Sequence, residues 1–175
     1  EHDLTLKDAT PYNIQFHQGR PVFIDVGSIR PLEQGEPWIG YRQFCELFLF
    51  PLLVRAHAGV AFQPMLRGSL GGIPPQTARS ILRGSRVWRP GVLADVVLQS
   101  RADRTAANRD VRSELKQAGF SKEMILNNLR RLDKVLAKTT WDPGSSTWSS
   151  YADCEHVGTH RVAKEAFITA VAQER

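Results

Sequence analysis

The sequence predicts an α+β fold that is mainly α. Three observations carry this reading. A short stretch near the start alternates apolar and polar residues as a β-hairpin does, residues 38–57 form one long apolar run, and later stretches repeat their apolar residues at helical spacing. The chain has 175 residues, 42% of them hydrophobic and 23% charged, which suits one domain with a sizeable core or one domain with a helical appendage.

The elements follow in order. "IQFHQ" (14–18) reads as a half-buried strand, Gly19-Arg20-Pro21 as a turn, and "VFIDV" (22–26) as a β-branched second strand. "RPLEQGEP" (30–37) is Pro- and Gly-rich loop. Residues 38–57 are apolar nearly all round, the mark of a helix buried at the centre of a core, and Pro51 implies a kink or a break into two pieces. "LRGSLGGIPPQ" (66–76) is a second loop, and 77–83 and 92–98 are short helices. A helix ends before Gly119, which stands at its C′ position. Ser121 N-caps a further helix to about Lys138, with Ile125, Leu129, Leu132 and Leu136 as its inner stripe and Arg130, Arg131, Lys134 and Lys138 mostly off it. The four Trp residues read as packing at loop–helix joints. A Ser-rich linker leads to a last helix over 156–173, with Val162, Phe167 and Val171 inward. The expected division is 1–138 and 139–175.

Charge and cysteines narrow the setting. The net charge of +5 permits an acidic partner, but no run of five like charges occurs, so a solvated basic face is the simpler account. Neither a nucleic acid nor a membrane is expected as a partner. Cys45 and Cys154 make no disulfide framework, no signal-peptide pattern opens the chain, and the most apolar window (44–54) is too short to span a bilayer. A cytoplasmic setting is expected.

The chemistry-bearing residues cluster early. Asp8 and Asn13 precede the hairpin and Asp25 ends its second strand, so the hairpin returns Asp25 toward the other two. Carboxylate and amide oxygens at one spot suit Mg²⁺. Asp and Asn also favour turns for local hydrogen-bonding reasons, which is the plainer reading of each taken alone. "CEHVGTH" (154–160) sets His156 and His160 at helical spacing beside Cys154, without a fourth ligand, and reads as ordinary surface histidines.

"DATPYN" followed by "NIQFHQGRPVFIDVGS" resembles the catalytic loop and metal strand of the protein-kinase-like fold, in particular its aminoglycoside-phosphotransferase branch. The resemblance implies a kinase-like C-terminal lobe built on a small hairpin and a buried central helix. Asp8 would be the catalytic-loop Asp, Lys7 would face the transferred phosphate, and Asn13 and Asp25 would hold Mg²⁺, with ATP as the nucleotide. Leu6 stands where the family has His, and Val26-Gly27 replaces its Phe-Gly. The nucleotide-binding lobe would lie upstream of Glu1, so the chain alone holds at most half a site and is expected to be inactive.

A wider resemblance covers the whole chain. "LKDATPYNIQF", "RPVFIDVGSI", "PWIGYRQFCELFLFPLL", "LRGSLGGIP" and "SSTWSSYADCEH" are similar to the region ahead of the catalytic domain in bacterial SAM-dependent methyltransferases of the nodulation-protein type. This implies a larger polypeptide whose downstream methyltransferase domain is the partner and binds the SAM. Two functions stay open: a phosphotransferase lobe, active or degenerate, and a non-catalytic interaction or linker module attached to the methyltransferase.

Overall fold

The computed structural model describes residues 2–101, 119–141 and 158–173. It divides into two units, Glu1–Trp141 and Asp142–Arg175.

Two small antiparallel sheets open the first unit. β2 (Ile14–His17) and β3 (Arg20–Phe23) form the expected hairpin, with Ile14 opposite Phe23 and His17 opposite Arg20. The turn is Gln18-Gly19 and not Gly19-Arg20-Pro21. Both turn residues have positive φ, 48° and 74°, the backbone that a two-residue hairpin loop needs to match strand twist. Pro21 is thereby shifted into a strand, tolerated because the two-stranded ribbon has only edges. The second sheet was not expected: β1 (Leu4–Leu6) pairs with β4 (Ile29–Pro31), Leu6 opposite Ile29. β4 takes Arg30 and Pro31 out of the stretch read as loop.

The apolar run is helical from α1 (Tyr41–Phe44) through a π-helical turn (Cys45–Leu49) into α2 (Phe50–Ala58). Pro51 explains the wide turn. It has no N–H to give to the turn before it, and its ring crowds the carbonyls there. Phe50 N–H reaches back to Cys45 O, leaving Glu46 O without a helical donor, and Ile73 N–H takes that oxygen at 2.9 Å. Gly72 permits the approach: its φ is +87°, and a Cβ there would sit 2.4 Å from Glu46 O. Gly72→Ala is therefore expected to destabilise by about 2–4 kcal/mol, from a strained backbone plus an orphaned carbonyl. Urea unfolding measures it, and a shift within error would show that the two segments are not locked.

The core gathers on this run. Cys45, Leu49, Phe50, Leu53 and Val54 pack with Ile73, Leu82, Val96, Leu132 and other buried apolar residues. Cys45 is a free, buried thiol whose pKa burial pushes up to about 12. The ring fully inside is Phe50; Phe44 and Phe48 are only partly buried and stack on each other at 5.5 Å.

The remaining helices differ in detail from expectation. α3 (Gln63–Gly68) and the start of α4 (Pro75–Ile81) take the two ends of the stretch read as loop, each opened by a Pro near its first turn, where no N–H is needed. Residues Val92–Val97 form a second π-helical turn. α5 (Lys122–Ala137) begins where expected, Ser121 Oγ accepting Met124 N–H at 3.2 Å. Its inner seam is Leu132 and Val135, while Leu129 is exposed. The helix before Gly119 lies outside the described residues. In the second unit α6 (Gly158–Gln173) leaves Val162, Phe167 and Val171 exposed, contrary to the expectation that they point inward, because an amphipathic helix buries its stripe only against another element.

Candidate functional site

Backbone pairing assembles the hairpin base. Ile24 N–H donates to Asn13 O at 2.9 Å, extending the β2–β3 ladder by one step. Asp25 follows directly, and Asn13 Nδ2 donates to Asp25 Oδ2 at 3.2 Å. Ser28 Oγ and Ser28 N–H both donate to Asp25 O, folding the chain over as the 3₁₀ turn Val26–Ser28. A Cβ on Gly27 would lie 3.3 Å from Asp25 Oδ1, so glycine leaves room over that oxygen.

Lys7 and Asp8 lie on the adjoining loop. Lys7 N–H donates to Ser28 O at 2.8 Å, which carries the β1–β4 pairing up to the turn after Asp25. Ala9 is buried and its N–H donates to Gln43 Oε1 at 2.7 Å. Trp38 Nε1 donates to Leu6 O at 2.9 Å. The backbone around Lys7 and Asp8 is thus pinned on both sides, while both side chains are exposed. The structure brings Asn13 and Asp25 together, and it sets Asp8 on a neighbouring anchored loop without a hydrogen bond to either.

The oxygens that remain are hard donors. With Asn13 Nδ2 on Asp25 Oδ2, the side-chain Oδ1 atoms of Asn13 and Asp25 remain as hard oxygen donors of the kind Mg²⁺ takes. Among the described residues no three His, Cys, Asp or Glu side chains gather as a metal site. Cys154 and His156 lie outside the described residues.

Two further features were missed by sequence reasoning. Asp95 is fully buried: Arg131 binds it through both nitrogens at 2.7 and 2.6 Å, and Tyr41 OH donates to it at 2.5 Å. The carboxylate raises the Arg131 pKa, and burial, ahead of Asp95, raises that of Tyr41. Asp95 falls in a run of Val and Ala, a position for a polar residue only if it is paired. The second feature is a cavity of about 260 Å³ lined by Leu4, Leu6, Leu32, Trp38 and Ile125, with the Asp3–Lys122 pair also on its wall. None of Lys7, Asp8, Asn13 or Asp25 lines it.

These elements define a mainly helical α+β protein with an Asn13–Asp25 hydrogen bond at a hairpin base. The chain is 30% identical over 175 residues to the nodulation protein NoeA of Rhizobium meliloti (strain 1021); the alignment covers 97% of this chain and 37% of that protein. It therefore spans little more than a third of that relative's length. No protein-family model and no solved structure matches the chain. Among the described residues no helix is long and apolar enough to cross a membrane.

Proposed function

We propose that the first unit is a kinase-like C-terminal lobe, active or degenerate, within a larger bacterial nodulation-type polypeptide that also carries a SAM-dependent methyltransferase domain. The observation that carries this reading is the Asn13–Asp25 contact at the hairpin base, beside the anchored Asp8 loop. In this reading Asn13 and Asp25 hold Mg²⁺, which supplies charge neutralisation to a transferring phosphate. Asp8 accepts the proton of the substrate hydroxyl, and the Lys7 ammonium faces the phosphate oxygens. The pinned backbone at Leu6, Lys7 and Ala9 orients both side chains.

Calorimetry with Mg·ATP tests the proposal. This chain alone is expected to bind weakly or not at all, because in this reading it supplies only the C-terminal lobe and not the one that cradles the nucleotide. A polypeptide carrying that lobe should bind, and Asp25→Asn should weaken binding at least about a hundredfold, more than is usual for losing an outer-shell partner. Micromolar binding by this chain alone, or an unaffected Asp25→Asn, would contradict it.

A second reading rests on a different observation. Phe16, Ile24 and Val26, on and just after the hairpin, are exposed apolar residues, as at a protein interface. A non-catalytic module packed on the methyltransferase domain would use them, and it would be indifferent to Asp25→Asn.

A further inference from the structure

Between Glu46 and Asp95 the chain has no aspartate or glutamate and six arginines, Arg55, Arg67, Arg79, Arg83, Arg86 and Arg89. The stretch carries a formal +6, against +5 for the whole chain. The carboxylates that bound it are engaged elsewhere, Glu46 by Arg42 and Asp95 by Arg131.

Folding gathers three of these arginines. The 3₁₀ turn Gly84–Trp88 is tied to the end of α2, Arg86 Nε donating to His57 O at 3.1 Å. Burial lowers the His57 pKa and the nearby Arg89 charge adds to it, which places Arg89 at the same end of α2. Arg86 and Arg89 stand i,i+3, the spacing that a 3₁₀ turn stacks on one edge, with Arg83 at the other end. None of the three forms an ion pair among the described residues. Trp88, between them, is 79% exposed. The sequence had suggested that it packs, but its ring projects into water.

Guanidinium groups are weakly hydrated and bind phosphate oxygens in a bidentate fork. A projecting indole is best placed at the level of lipid headgroups, its body in apolar surroundings and its N–H in polar ones. Single-stranded nucleic acid would call for successive rings along a basic groove, and here one ring stands on a short turn. We propose that the Arg83–Arg89 turn docks on an anionic phospholipid surface, the three arginines taking lipid phosphates and Trp88 seated among the headgroups. The inference does not depend on the phosphotransferase reading.

Vesicle co-sedimentation of the whole chain tests it, with phosphatidylcholine vesicles containing a third phosphatidylglycerol against phosphatidylcholine alone. Binding is expected to the anionic vesicles only and to fall as salt rises. Arg83→Gln with Arg89→Gln should weaken it about 25-fold, near fivefold for each charge at the surface. Trp88→Ala should weaken it as well, with circular dichroism unchanged in every variant. Equal binding to neutral vesicles, no binding at low salt, unweakened variants, or stronger binding to an oligothymidine than to the vesicles would overturn the proposal.

Discussion

Arg131→Ala is expected to destabilise the first unit by about 3–5 kcal/mol, the usual consequence of leaving a buried charge without its partner. Asp95 has no exposure to water and depends on the two guanidinium bonds and the Tyr41 hydroxyl. The cluster joins α1, the Val92–Val97 turn and α5, so its loss loosens three elements together. Replacing both partners, Asp95→Leu with Arg131→Met, should recover most of the loss, since two well-packed apolar side chains remove the desolvation cost as well as the attraction. Urea midpoints of the single and double variants decide. A single variant within about 0.5 kcal/mol of the wild type would mean that water reaches Asp95.

Phe50→Ala should cost a similar amount, about 3–5 kcal/mol, by emptying a closed aromatic site. The ring is fully buried at the start of α2 and packs in the cluster that contains Leu53 and Val96. Phe44→Ala and Phe48→Ala should each cost clearly less, because these rings are only partly covered and lose mainly their mutual stacking. Denaturant unfolding of the three variants gives the order. A Phe48→Ala loss equal to that of Phe50→Ala would place the centre of the core elsewhere. Losses of this size matter in a domain whose whole stability is on the order of 5–15 kcal/mol.

Local signals in the sequence located the elements whose causes are local. The Ser121 cap, the hairpin and the apolar run through Phe50 each follow from residue types within a few positions. The turn at Gln18-Gly19 was misplaced by one residue because Pro21 reads as a turn residue, although an edge strand accepts it. The β1–β4 pairing was illegible because each strand has three residues and the partners lie more than twenty positions apart. Arg131 was read as a solvated charge, and only the fold reveals its partner, 36 positions away. The inward stripe expected on α6 shows the reverse error, since periodicity gives a face without saying what covers it. At the candidate site, spacing alone brought Asn13 and Asp25 to attention. The anchoring of Asp8 through Ala9 and Gln43 needed the tertiary structure.

The central claim is that the Asn13 and Asp25 oxygens form a cation site beside Asp8. Paramagnetic broadening by Mn²⁺, a stand-in for Mg²⁺, tests it most directly on the isotope-labelled chain. The amide signals of Asp8, Asn13, Asp25 and Gly27 should broaden first as Mn²⁺ is added, and Asp25→Asn should abolish the effect while leaving the rest of the spectrum in place. Broadening centred elsewhere, or the same broadening in Asp25→Asn, would contradict it.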